Sequence, residues 1–474
     1  MILEKGIIGS RLNKYLLKSD GCVGEYNANN TWNFNGNNRC ITNNNRYNSN
    51  FRCRPCSDYI MDGESRFSHY PISLEEIQFV EEKSHSSKPN CVRFRTDKIR
   101  RIVDIWHRLN NDDVEITEAR VFVVTKPKIR EIIYCNYSDK LIQTFYVFSL
   151  RCYMENHWFD TDSYSCRQGK GVLKAVNQYR EYIKTALAKY DKDDIYLASI
   201  DIKSFFISID TKLLAEKMSG FINNFIEDSE RRDKLLYLTK CLYVIDWHKV
   251  RIERFGKMTD DNVPEGKKLL SKDSYIGVPI GNWTSQVGGN FITTFALVFL
   301  RGLGYEYFVH YTDDTTIVVT DKAKYLNDIR VIEKFYQEVL HLELHRNKRY
   351  LQHYSKGITM LGRRIKFERC IPSKMTFATI GDLLYVIRQK SLIDESFIKH
   401  NSEHITQSIN SYMGMLVHMT MFNYRKHVLD FIRNNFNTYF KIDDKEYRKI
   451  NVRNKYTLKN RYVDYIRKKI KYFR

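Results

Sequence analysis

From Ile195 the chain reads Ile-Tyr-Leu-Ala-Ser-Ile-Asp-Ile-Lys-Ser-Phe-Phe-Ile-Ser-Ile, a largely apolar run with one acid, Asp201, near its middle. Its length and composition predict a buried strand. Farther on, Tyr307 to Tyr311 and Thr315 to Thr320 are aromatic and β-branched on either side of Thr312-Asp313-Asp314. They predict a hairpin whose tip presents two carboxylates. Helical periodicity marks Val172 to Tyr190, then Lys212 to Lys272 with a polar connection near Asp260 to Lys268, then Ala323 to Leu340. Strands continue to about Ile371, and the remainder reads as helical. Upstream, Lys126-Pro-Lys-Ile-Arg-Glu131 alternates as a strand does, which places Lys126, Lys128 and Arg130 on one face.

The acids change this picture. A lone carboxylate in an apolar run is expensive without a counter-ion, and two adjacent anions repel unless a cation lies between them. If the strand bearing Asp201 lies beside the hairpin, Asp201 and Asp313 converge on one site able to hold two Mg²⁺ ions roughly 4 Å apart. Such a pair serves in-line nucleotidyl transfer, one ion activating a primer 3′-hydroxyl and the other bracing the triphosphate. Without that convergence, Asp313-Asp314 is a solvated turn and Asp201 a helix N-cap at a strand end.

Three segments in order carry a family resemblance. Tyr311-Thr312-Asp313-Asp314 resembles the Tyr-x-Asp-Asp box of reverse transcriptases, and Asp201-Ile-Lys-Ser-Phe-Phe resembles their first palm motif. Gly277-Val-Pro-Ile-Gly-Asn-Trp-Thr-Ser-Gln286 resembles the Gly-x-Pro-x-Gly-x-x-x-Ser-Gln loop of the bacterial, group II-intron-like branch. The agreement spans roughly residues 95 to 435. It implies an α+β, right-hand polymerase: an N-terminal segment over 1–60, fingers and an antiparallel palm over 61–371, and a helical thumb with a basic tail over 372–474. It also implies extension of a DNA or RNA primer with deoxynucleotides on an RNA template. The metal set would be Asp201, Asp313, Asp314 and Ile202, holding two Mg²⁺ ions with Mn²⁺ as a substitute.

The remaining site residues follow from the same resemblance. Phe206 falls where the family keeps a ring against the incoming sugar, which would clash with a ribose 2′-hydroxyl; the alternative is core packing, since Phe205 and Phe206 point to opposite faces of a strand. Lys128 and Arg130 match a finger strand that grips the triphosphate, Arg130 with a fork for phosphate oxygens; a solvated basic edge strand is the alternative. Ile280, Gly281 and Gln286 complete the nucleotide site. Lys348, in Leu344-His-Arg-Asn-Lys348, is a candidate proton donor to the leaving pyrophosphate. Ser163-Tyr-Ser-Cys-Arg-Gln-Gly-Lys-Gly171 resembles the loop that contacts the template, through Arg167. Tyr311, with Leu361 and Gly362 of the Gly357 to Ile365 motif, completes the template and primer contacts.

Ile280 departs from retroviral enzymes, which carry Gln between the Pro and the Gly, where it touches the nascent base pair. An aliphatic side chain cannot hydrogen-bond there, so lower discrimination is expected. Pro-Ile-Gly-Asn-x-Thr-Ser-Gln, with Ser408-Ile-Asn-Ser-Tyr-Met-Gly-Met-Leu-Val-His418, is similar to reverse transcriptases of diversity-generating retroelements, which copy an RNA template repeat and misinsert opposite adenine. That resemblance implies a small basic accessory protein as partner. Half the residues from Asn27 to Asn50 are Asn, a composition that predicts disorder. The stretch also resembles the translated variable repeat of proteins those elements mutate. On that reading residues 1–60 are a template repeat read through in frame, with Met61 as the authentic start; the other reading is an Asn-rich tail.

Composition agrees with a nucleic-acid partner. Lys and Arg number 77 against 56 acids over 474 residues, a net charge of +21. Between Lys445 and Arg474, basic residues alternate with Tyr447, Tyr456, Tyr462, Tyr465, Tyr472 and Phe473, suiting an RNA or duplex surface. Cys53-Arg-Pro-Cys56 has the spacing of half a zinc site, though no paired His follows. With no secretory segment and no apolar run near a membrane span, free thiols and a cytoplasmic location are expected. Two other functions remain open from sequence: a defence-associated or other stand-alone group II-like reverse transcriptase, and a non-catalytic RNA-binding protein on a polymerase scaffold.

Overall fold

The computed structural model describes residues 71–84, 88–125, 128–255, 263–394, 396–442 and 446–457, with the backbone of short strands between 24 and 65. Of the Asn-rich segment this covers only the antiparallel pair Gly24–Tyr26 and Trp32–Phe34. The expectations for the rest of residues 1–60, for Cys22, Cys40, Cys53 and Cys56, for Lys126, and for the tail beyond Thr457 lie outside the described residues. The chain is α+β and forms two compact units, residues 1–175 with 199–350, and residues 176–198 with 351–474.

The first unit opens with helices α1 (Leu74–Lys83), α2 (Pro89–Arg95) and α3 (Lys98–Asn110). Ser73 and Glu76 close a reciprocal capping box at the start of α1, satisfying two backbone donors that the helix itself cannot. On α3, Ile102, Ile105 and Leu109 recur at helical spacing and are buried. An antiparallel hairpin follows, β1 (Glu118–Val124) against β2 (Arg130–Cys135), in register from Ala119 opposite Cys135 to Val124 opposite Arg130. Helix α4 (Tyr137–His157) is buried on all sides from Leu141 to Leu150, as expected of a central core helix.

After α5 (Val172–Lys189) and β3 (Tyr196–Asp201), α6 (Thr211–Phe225) and α7 (Ser229–Tyr243) form a helical pair, each capped by an Asp side chain. Arg231 of α7 is 1% exposed. It reaches Glu76 at 2.7 Å and lies over the Phe145 ring, so one buried ion pair ties α1 to the core. Burial pushes the Glu76 carboxyl above its usual range while Arg231 opposes the shift. Removing either partner would strand the other charge, at about 3–5 kcal/mol.

The stretch Lys212 to Lys272, expected as helices with a polar connection near Asp260 to Lys268, is not helical throughout the rest of its described residues. It contains a strand, β4 (Arg251–Arg254), which pairs parallel to β1 with Glu118 opposite Arg251 and Arg120 opposite Glu253. No apolar alternation announces it, because side-chain contact comes from a ladder of opposite charges: Arg120 to Glu253 at 2.8 Å and Arg251 to Glu118 at 3.2 Å. Beyond it, α8 (Trp283–Gly302), β5 (Phe308–Tyr311), β6 (Asp314–Val319) and α9 (Lys322–Val339) complete the unit. Strand β6 runs antiparallel to β5 and lies between β5 and β3 in the sheet.

The second unit contains most of α5 and the start of β3, and the chain re-enters it along β7 (Tyr350–His353). It continues with the antiparallel sheet β8 (Ile358–Met360), β9 (Arg363–Ile365) and β10 (Cys370–Pro372), and helices α10 (Lys374–Ile393), α11 (Phe397–Leu416) and α12 (Phe422–Phe436). The six described cysteines are free thiols. No helix among the described residues is long and apolar enough to cross a membrane.

Candidate active site

Two strand ends build the site. Asp201 is the last residue of β3. The β5–β6 hairpin closes through a two-residue turn, Thr312-Asp313, with Tyr311 paired to Asp314. Thr312 has φ +61°, a left-handed conformation that a β-branched residue adopts only under strain. The Ile202 N–H donates to the Asp313 carbonyl at 3.2 Å, which brings the end of β3 against the hairpin tip. The backbone thus places Asp201 and Ile202 next to Asp313 and Asp314, with Tyr311 paired to Asp314.

Charge is balanced unevenly among the three acids. Asp201 is 5% exposed and takes Lys348 Nζ on both oxygens, at 2.8 and 2.6 Å. Lys348 stands on the helical turn Arg346–Lys348, held by the His345 N–H donating to the Asp201 carbonyl at 2.7 Å and by an antiparallel bridge from Leu344 to Ile202. Burial raises the Asp313 carboxyl and the Asp201 charge adds to the rise; Arg130 and Lys348 oppose it. Burial pushes Asp314 up to about 7, reinforced by Asp313 and Asp201 and opposed by Lys348 and Lys128. Lys128 and Arg130 are thus within electrostatic reach of the acids.

Among the described residues no three His, Cys, Asp or Glu side chains already stand at metal-holding spacing, and Asp201 is engaged by Lys348. The donor chemistry nonetheless suits hard divalent cations. It offers carboxylate oxygens, and those of Asp313 and Asp314 are destabilised by burial and by neighbouring acids.

The nucleotide-site residues lie on three elements. Phe206 belongs to a short 3₁₀ turn, Phe205–Ser208, entered through Ser204 at φ +51°; the expected strand stops at Asp201. The two rings do not point to opposite faces as expected: their centroids lie 5.1 Å apart, Phe205 buried and Phe206 half-buried, and a side chain at Gly289 would press on both. The Phe206 carbonyl accepts the Val278 N–H at 2.8 Å, which links it to the loop bearing Ile280, Gly281 and Gln286. Gly281 is a close-approach glycine, since a Cβ there would collide with the Ile133 carbonyl of β2. Ile280 is half-buried, and Gln286 is exposed and accepts from Cys166 Sγ at 3.4 Å. Strand β2 begins only at Arg130, so Lys128 sits in the β1–β2 connection and does not alternate with Arg130 along a strand as expected. A Pro at position 127 and high charge favour a turn over a ladder.

Arg167 differs from its expected role. Its guanidinium faces inward, bonded to Glu155 at 2.9 and 2.7 Å and to the carbonyls of Asp160 and Ser163, over the Phe159 ring. It shapes the 163–171 loop and presents no open cation to a template. Leu361 and Gly362 belong to the second unit, where they form the turn between β8 and β9 with φ +48° and +75°.

A buried polar network lies behind the hairpin and joins two of the sequence motifs. The Thr312 N–H donates to Ser165 Oγ at 3.1 Å, Ser165 Oγ to Asn290 Oδ1 at 2.5 Å, and Asn290 Nδ2 to the Ser165 carbonyl at 2.6 Å. Beside it, the His310 ring bonds the hydroxyls of Thr315 and Thr293 at 2.9 and 3.1 Å, and burial lowers its pKa to about 4. Ser165 and Thr312 lie in those motifs, whereas Asn290, Thr293 and His310 show in the sequence only as polar residues within largely apolar runs.

The reverse transcriptase (RNA-dependent DNA polymerase) family matches residues 124–365, slightly more than half of the chain. No curated protein matches it.

Proposed function

The chain belongs to the reverse transcriptase (RNA-dependent DNA polymerase) family, and from that premise we propose how its residues divide the work. It is an RNA-directed DNA polymerase, a nucleotidyltransferase, whose substrates are an RNA template, a primer and deoxynucleotides. Asp201, Asp313 and Asp314 form the metal-holding centre, with Ile202 holding the hairpin tip against β3. Two Mg²⁺ ions bound there would activate the primer 3′-hydroxyl and neutralise the triphosphate. Lys128 and Arg130 bind the triphosphate, and Phe206 lies against the sugar and excludes a 2′-hydroxyl. Lys348 delivers a proton to the departing pyrophosphate. Tyr311, Leu361 and Gly362 support template and primer, in a right-hand arrangement of fingers, palm and thumb.

The observation that carries this reading is the hydrogen bond from Ile202 to Asp313, which joins two acidic segments more than a hundred residues apart at a site within electrostatic reach of Arg130, Lys128 and Lys348. The finer role is error-prone copying of a template repeat in a diversity-generating retroelement. Ile280 supports it, since an aliphatic side chain in the 277–286 loop offers no hydrogen bond to a base pair. Primer extension by the purified protein on RNA with Mg²⁺, followed by sequencing, tests both levels. No product overturns the polymerase assignment to these residues. Errors confined to template adenines support the retroelement role, and faithful copying there favours a defence-associated or other stand-alone enzyme.

A further inference from the structure

At the end of the β1–β2–β4 sheet remote from Lys128 and Arg130 lies an open cavity of about 520 Å³. Six residue steps of β1 separate it from the hairpin turn, roughly 20 Å at strand rise. The cavity is within the size range of small-molecule and nucleotide sites.

Its walls are dominated by guanidinium groups. Arg101 and Arg108, with Asp104 between them, share one face of α3, Arg93 comes from α2, and Arg120 and Arg251 come from β1 and β4. Arg120 and Arg251 are paired with Glu253 and Glu118, but these pairs are solvent-exposed and cost little to rearrange. Arg93 and Arg101 have no carboxylate partner among the described residues; Arg101 lies 5.7 Å over the Phe94 ring. The first turn of α4, from Asn136 to Ser138, also lines the cavity, and Asp139 in the same turn holds Arg108 at 3.0 Å, so Arg93 and Arg101 are the cations left to a ligand.

We propose that this cavity is a second nucleic-acid site, distinct from the carboxylate centre, that holds the sugar-phosphate backbone of an RNA strand. The proposal rests on the polymerase reading only for the presence of RNA. Guanidinium forks match phosphodiester oxygens. Asp104, Glu118 and Glu253 stand among them as acceptors, which a ribose 2′-hydroxyl can satisfy and which would repel a compact, highly charged anion such as pyrophosphate. The mixture of donors and acceptors in an open cleft fits a ribonucleotide strand better than a free polyphosphate.

Binding of a labelled single-stranded RNA to the full-length protein, in chelator so that no extension occurs, tests this across a salt series with Arg93→Ala/Arg101→Ala as the variant. RNA affinity should fall, and the slope of log affinity against log salt should become shallower by about 0.7 for each phosphate that no longer meets a guanidinium. A DNA of the same sequence should lose less, and Arg93→Lys/Arg101→Lys should keep the slope while binding more weakly. Unchanged RNA affinity and slope, equal losses for DNA, or displacement of the RNA by inorganic pyrophosphate at low concentration would each overturn the RNA assignment. Equal melting temperatures of variant and wild type show that weaker binding does not come from unfolding. Failure of the wild type to extend a primer would overturn the polymerase reading and leave this binding measurement intact.

Discussion

Lys348 Nζ bridges both carboxylate oxygens of Asp201, at 2.8 and 2.6 Å, across 147 residues of sequence. One ammonium therefore balances a buried acid at the centre of the site, and the proposed proton-donor role of Lys348 can be separated from that charge balance. Lys348→Leu should lower kcat about 100-fold, the range of a lost general acid, with little change in the KM for deoxynucleotide. Lys348→Arg keeps the positive charge but does not release a proton. If steady-state extension shows the Arg variant as active as wild type, the proton-donor role is sunk and only charge balance remains.

The strained turn at Thr312 depends on Ser165. Its N–H is paired only as long as Ser165 Oγ is held by Asn290. Ser165→Ala should cost about 1–3 kcal/mol of stability, the penalty for a buried donor left without its acceptor. It should lower kcat more than it raises KM, because the turn sets the position of Asp313. A thermal melt combined with extension kinetics checks this, and an intact kcat in a destabilised protein would make Ser165 purely structural.

His310 gives the fold an acid sensitivity. Its pKa in the folded chain is about 4, lowered by burial, against roughly 6.5 when unfolded. Above 6.5 both states are neutral and nothing is lost. As pH falls from 6.5 toward 4 the unfolded chain binds a proton that the folded chain refuses, so stability declines, by about 3 kcal/mol at full effect. Denaturant titrations over that interval should show the decline in wild type and a smaller one in His310→Gln. Parallel slopes in the two proteins would exclude His310 as the source.

The parts of the fold visible in sequence are those written by periodicity. Apolar spacing predicts a helix from Ala323 to Leu340, and α9 spans Lys322–Val339; it predicts another from Val172 to Tyr190, and α5 spans Val172–Lys189. The hairpin with acids at its tip is legible because β-branched and aromatic runs flank a polar break. Strand β4 is not, since its pairing rests on backbone bonds and a charge ladder with only Ile252 to suggest burial. The turn at Phe205–Ser208 is hidden for the opposite reason: an apolar run looks the same in a strand and in a buried 3₁₀ turn. Arg167 shows the limit for side chains. Its motif places the loop, but the loop's own carbonyls and Glu155 decide where the guanidinium points.

Asp314 makes metal binding visible as proton release. Its carboxyl is pushed up to about 7 by burial and by Asp313 and Asp201, so near neutral pH it is about half protonated in the folded chain and ionised when unfolded. The sign follows: as pH rises from the unfolded value near 4 through 7, the folded state loses the proton later, and Asp314 subtracts stability over that interval. A divalent cation at the site favours the carboxylate and should expel the proton. Calorimetric titration of the protein with Mg²⁺ at neutral pH, in two buffers of different ionisation enthalpy, should report release of about half a proton from this group. Asp314→Asn should abolish that release. Mg²⁺ binding with no buffer dependence in the wild type would remove Asp314 from the metal set and leave Asp201 and Asp313 to hold the ions.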